Sequence, residues 1–119
     1  MGTFKLSAQQ TDPTSMNSAF FSLDKLESEI EVSGKSWLPF LQGDKVLAGL
    51  YYLKAGDTDP QQPHQTDEVY YVLTGKAMFE VDGEHKAIKT GDVLFVKAQI
   101  DHRFYGIEED LKLLVFFDQ

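Results

Sequence analysis

The feature that most constrains the fold is a rhythm of short apolar runs broken by turn residues. Trp37 to Leu41, Val46 to Leu53, Val69 to Leu73, Val93 to Val96 and Leu111 to Phe117 are each strand-length, and Gly43-Asp44, Thr74-Gly75, Asp82-Gly83 and Gly91-Asp92 punctuate them. Strands of this length, with turns about every eight to twelve residues, predict an all-β sandwich or barrel. Pro39 lacks a backbone donor and confines its strand to an edge or a bulge. Ala77, Phe79 and Val81 alternate with Met78, Glu80 and Asp82, and Asp82-Gly83 then turns the chain into Lys86-Ala87-Ile88 as a hairpin. Thr74-Gly75 is expected to stop one strand. Phe104–Ile107 and Leu111–Phe117 are expected as separate last strands, joined by a solvated turn at Glu108-Glu109-Asp110.

The N-terminal part differs. Ser7 to Ser18 is rich in Gln, Thr and Ser and carries Pro13, so residues 1–21 read as an irregular arm that gains structure only by docking. Ser22 is placed to cap a short helix near 22–30, with Leu23, Leu26 and Ile30 on one face and Asp24 in the first turn, and Ser33-Gly34 ends it. Residues 22–119 then form one barrel domain carrying that helix. Val46–Leu53, Val69–Leu73 and Leu113–Phe117 are apolar on both faces, so a second apolar set needs a cover outside the barrel. The arm and helix cover part, and a partner subunit covers the rest, which predicts a homodimer.

Composition excludes several functions. A net charge of −8 opposes nucleic-acid and anionic-membrane surfaces, because phosphates would be repelled. With no cysteine there is no disulfide, thiolate ligand or cysteine nucleophile. The apolar runs fall well short of the roughly 18 residues that span a bilayer, so a cytoplasmic location is expected. No Ser-His-Asp order, glycine-rich phosphate loop or zinc-ribbon spacing offers a competing chemistry.

The chemistry concentrates between Gly56 and Gly75. His64 and Glu68 are four apart, so on an extended chain both face the same side as Tyr70 and Val72. A second stretch, Gly91-Asp92 and Val93–Val96, leads to His102. Two histidines and one carboxylate on separate strands can converge on a divalent metal and leave positions open for water or substrate. The residues alone also allow neutral histidines at a polar barrel mouth, with Glu68 paired to Lys97 or Arg103. Gln62 has the parity to stand beside His64 as a weak ligand, with Asp59 and Gln61 as substitutes. His85 reads as a solvated residue of a hairpin tip. Tyr52, Tyr70, Phe79, Phe95, Phe104 and Phe116 read as core, with one or two lining a pocket.

Gly56 to Gly75 resembles the first cupin motif: a glycine, an H-x-H pair, a glutamate three or four residues later and a closing glycine. His64, Glu68 and Gly75 stand at the motif positions, with Gln62 where the first histidine is usual. Gly91 to Gly106 resembles the second motif, with Gly91 and His102 in register and Lys97, Gln99 and Gly106 departing from its proline, second glycine and asparagine. The resemblance implies a small single-domain jelly-roll barrel binding one divalent ion, Fe, Mn, Ni or Zn, through His64, Glu68, His102 and, weakly, Gln62. It implies a metal-dependent small-molecule enzyme of the dioxygenase, isomerase or lyase type, with Tyr70 as candidate proton donor. The alternative is a non-catalytic module that binds or senses a small molecule.

Overall fold

The computed structural model describes residues 17–60 and 63–118. Most of the expected arm therefore lies outside the described residues, as do Gln61 and Gln62. The elements run α1 (Leu23–Ser33), β1 (Trp37–Gln42), β2 (Val46–Leu53), β3 (Glu68–Val81), β4 (Glu84–Lys89), β5 (Val93–Val96) and β6 (His102–Asp118). All strand pairs are antiparallel, in the order β1-β2-β6-β3-β4, with β5 also on β3. Along one edge of β3, β5 takes Glu68–Tyr71 and β4 takes Lys76–Val81, while β6 follows the other edge from end to end. Pro39 sits on edge strand β1, and the register slips beside it between Pro39 and Leu41.

Two expectations about breaks are corrected. β3 runs through Thr74-Gly75, and β6 is one continuous strand in which Glu108, Glu109 and Asp110 are exposed members rather than a turn. Gly75 explains the first. Its φ of 113° belongs to glycine, and a Cβ there would stand 2.5 Å from the Asp110 carbonyl oxygen and 2.8 Å from Leu111 Cα. The β3–β6 register also shifts between Val72 and Met78. The glycine thus bends two long strands around each other instead of stopping one. Asp110 is held in place because Oδ1 accepts the Ala55 N–H at 2.9 Å and Oδ2 accepts the Tyr52 hydroxyl at 3.3 Å.

The bend curls the sheet over an inner core. Tyr70 near the start of β3 meets Phe79 near its end, with ring centroids 6.2 Å apart, and both pack on Phe104 of β6. Leu53, Val72, Leu111, Leu113 and Val115 fill the rest of that core. The opposite face of β1 and β2 carries a second core, Leu38, Phe40, Ala48 and Leu50, covered by Leu26 and Ile30 of α1. Burying each of those helix side chains contributes about 1.5–3 kcal/mol. Lys112 of β6 also donates to Glu27 at 3.2 Å and to Glu31 at 2.5 Å, tying the helix to the sheet.

The helix begins as expected at Ser22, whose backbone is extended and whose carbonyl accepts the Leu26 N–H at 3.0 Å. Its hydroxyl makes no capping hydrogen bond, and the helix runs on to Ser33 before the left-handed Gly34. Phe95 and Phe116 were expected in the core, and the structure corrects this: both point outward and are exposed. They join Val69, Tyr71 and Val93 in an exposed apolar patch on β5, β3 and β6. Tyr52 also faces outward, against the second core. No helix among the described residues is long and apolar enough to cross a membrane.

Candidate metal and ligand site

Each candidate ligand is delivered by a different piece of chain. Glu68 is the first residue of β3 and His102 the first of β6, while His64 lies in the loop before β3. That loop is pinned at several points. Asp57 Oδ2 accepts the Lys54 N–H at 2.9 Å, and Asp67 Oδ1 accepts the Ala98 N–H at 2.9 Å. Asp59 bridges two strands, Oδ1 accepting the Tyr51 hydroxyl at 2.5 Å and Oδ2 the Phe104 N–H at 2.9 Å. The His64 carbonyl accepts the Gln99 N–H at 2.7 Å, which helps hold Gln99 at a left-handed φ of 72°.

The ligand atoms of His64, Glu68 and His102 lie within 4.8 Å of one another. His102 Nε2 is 3.0 Å from Glu68 Oε1, and His64 Nε2 is 3.5 Å from Glu68 Oε2. Glu68 and His102 are buried, and His64 is partly open. Gln62 lies outside the described residues. Asp59 is not in the group, being occupied by Tyr51 and Phe104. Arg103 pairs with Glu80 at 3.0 Å, not with Glu68. His85 is exposed at the β3–β4 hairpin as expected, its Nδ1 2.8 Å from the Tyr105 hydroxyl.

Proton positions follow from the partners. His102 Nδ1 lies 2.9 Å from the Ile100 carbonyl oxygen, which can only accept, so Nδ1 carries the hydrogen and Nε2 of a neutral ring presents a lone pair inward. The Tyr70 hydroxyl stands between Glu68 Oε2 at 3.1 Å and His102 Nε2 at 3.0 Å, with one proton to give. Glu68 Oε1 is left buried without a hydrogen bond of good geometry. An uncompensated buried carboxylate costs several kcal/mol, so this orphaned oxygen facing an imidazole lone pair fits a divalent cation held by both. Without one, a proton on His102 is the compensation. Burial of the ring opposes that proton, but the Glu68 carboxylate, the Ile100 carbonyl and the more distant Asp59 outweigh it and hold the His102 pKa above the ordinary histidine value.

Beside the group opens a cavity of about 610 Å³. His64, Glu68 and Tyr70 form its polar floor, and Trp37, Leu47, Tyr51, Val115 and Phe117 its walls. Trp37 meets Tyr51 and Phe117 edge to face, with centroids 6.3 and 5.9 Å apart. Sequence reasoning missed these walls. Strand parity could have found Tyr51, which shares a face with Leu53, but Trp37 and Phe117 come from strands whose inward faces depend on the curl. Trp37 is seated against Gly49, where any Cβ would collide with the indole ring.

A curled antiparallel sheet holding an inward two-histidine, one-carboxylate group beside an aromatic cavity defines a small barrel protein. Residues 49–117 match the family model of the cupin domain, and the chain belongs to the cupin family. It is 43% identical over 97 residues to an uncharacterized protein of Streptomyces coelicolor, covering 82% of this chain and 92% of that one. Among solved structures, a Thermus thermophilus protein is similar at 27% identity and a TM-score of 0.63, over 69% of this chain and 80% of that one. A cupin superfamily protein of Desulfitobacterium hafniense shares the fold at 24% identity and a TM-score of 0.63, over 69% and 74% of the two chains.

Proposed function

We propose that this cupin binds one divalent metal ion through His64, Glu68 and His102 and acts on a small molecule in the adjoining cavity. The observation that carries the reading is the buried Glu68 Oε1, without a hydrogen bond and 3.0 Å from a His102 nitrogen whose partner atom is fixed as a donor. A mixed imidazole and carboxylate set suits Fe, Mn, Ni or Zn. Such an ion, when bound, supplies Lewis acidity or, as iron, a route to dioxygen.

The chain's own residues would do the rest. The aromatic walls exclude water and orient the ligand, and the Asp59 bridge holds the His64 loop over the site. Tyr70 is the candidate catalytic group, holding a proton at its phenol oxygen between Glu68 and His102. Burial, and then Asp59, keep the Tyr51 phenol protonated, so it serves as wall and anchor rather than as base. Gln62 is proposed as a weak ligand or a substrate contact from the same loop.

We also propose a homodimer, supported by the outward patch on β3, β5 and β6, and a cytoplasmic location. The test of function is turnover. Protein loaded with each of the four ions is incubated with small oxygenated and aromatic compounds, with and without dioxygen, and compared with Tyr70→Phe. Metal-dependent conversion that falls at least about tenfold in Tyr70→Phe supports an enzyme with Tyr70 in proton transfer. Tight metal-dependent binding without conversion moves the reading to a binding or sensing module, which the neutral Gln62 in place of a histidine favours.

A further inference from the structure

We propose that the cavity, with no metal bound, selects a flat, uncharged ring and turns away phosphorylated and other multiply anionic ligands. This deepens the proposed function and rests on it only for the ligand atoms that would face His64, Glu68 and His102.

The walls supply the first argument. Trp37, Tyr51 and Phe117 present ring edges and faces, and Leu47 and Val115 complete an apolar slot. Flat ligands gain from offset and edge-to-face contact with such rings, while a hydroxyl-rich sugar would lose hydrogen bonds to water on entering.

Charge supplies the second. No lysine or arginine lines the cavity among the described residues. Its formal charges are Glu68 on the floor and Asp118 at the exposed rim, with Asp59 behind Tyr51. Arg103 is committed to Glu80, and Lys112 to Glu27 and Glu31. In metal-free protein a phosphate placed there therefore meets carboxylates and no lysine or arginine among the described residues, which costs roughly tenfold in affinity or more per negative charge.

The sole tryptophan of the chain is the wall residue Trp37, so its emission reports occupancy directly. The probes are benzyl alcohol and phenyl phosphate, which share a ring and differ in charge, titrated into the full chain after chelator treatment. Benzyl alcohol is expected to change Trp37 emission saturably, and phenyl phosphate to bind at least about tenfold more weakly. Asp118→Lys, a rim change that leaves the core untouched, is expected to narrow that gap. Phenyl phosphate binding as tightly as benzyl alcohol, or neither compound changing the emission, would overturn the inference.

Catechol separates this inference from the metal reading. If catechol gains over benzyl alcohol only in metal-loaded protein, and the alcohol outcompetes the phosphate in chelator-treated protein, both stand. If catechol gains nothing with any ion while the alcohol still outcompetes the phosphate in chelator-treated protein, the metal reading fails and ring selection stands. If catechol gains with metal but the chelator-treated protein prefers phenyl phosphate, ring selection fails alone.

Discussion

Glu68 Oε1 and His102 Nε2 are 3.0 Å apart although they begin at opposite ends of the β3–β6 ladder. Glu68 pairs with Phe117, and His102 with Val81. Laid flat, the stretch from Glu68 to Val81 would span about 43 Å at roughly 3.3 Å per residue. The curl of the sheet is therefore what brings these two side chains together, so the residues that permit the curl matter as much to the group as its own members do.

Gly75 is the first such residue. Gly75→Ala forces a Cβ into the Asp110 backbone at a φ that alanine resists, and is expected to cost roughly 3 kcal/mol or more. Denaturant unfolding measures this. A loss below about 1 kcal/mol would show that the bend does not depend on glycine.

The Glu68–His102 pair predicts a pH dependence for chelator-treated protein. Because the folded His102 pKa is raised, the folded state holds its proton more tightly than the unfolded chain. The stabilisation is complete below the unfolded value, about 6.5, and is lost as pH rises through the higher folded value. The urea midpoint should fall from about pH 6 upward, and this fall should flatten in Glu68→Gln. Metal affinity should rise over the same window, since a ligating imidazole must shed its proton. A midpoint that climbs with pH would contradict this protonation scheme.

Gly49 sets the cavity wall. Gly49→Ala would push the Trp37 indole off its seat, so Trp37 emission should shift and benzyl alcohol affinity should fall about tenfold or more, while metal content stays unchanged. Unaltered emission and affinity would mean that Trp37 is not held by contact with Gly49.

The outer patch predicts association. Val93 and Phe95 are 66% and 61% exposed beside Val69, Tyr71 and Phe116, a concentration of apolar surface that monomers seldom leave wet. Sedimentation should give twice the chain mass, and Val93→Glu with Phe95→Glu should give folded monomers. A wild-type chain that stays monomeric at about 100 µM would contradict the dimer.

Much of this was legible in the residues, for local reasons. Asp82-Gly83 fixes its hairpin, Pro39 its edge strand, and Leu26 and Ile30 the buried helix face, because each depends on dihedrals or periodicity alone. His64 and Glu68 do come together, but not by strand parity: His64 lies in the loop before β3, where its carbonyl accepts the Gln99 N–H. What was not legible depends on the curl. Gly75 reads as a stop until Asp110 is seen against it, and the same parity that places Tyr70 inside leaves Phe95 and Phe116 ambiguous until the covered face is known. Trp37 gave no sign of lining a cavity because its strand meets the site only after the sheet has closed over it.

The most direct test of the metal reading is elemental analysis by mass spectrometry on protein purified without a histidine tag or chelator, alongside His64→Ala, Glu68→Ala and His102→Ala. The account predicts near-stoichiometric iron, manganese, nickel or zinc in the parent and its loss from each variant that remains folded by circular dichroism. A parent that is metal-free and stays empty after incubation with each ion would contradict it, and Glu68 would then be compensated by the proton on His102 and the Tyr70 hydroxyl.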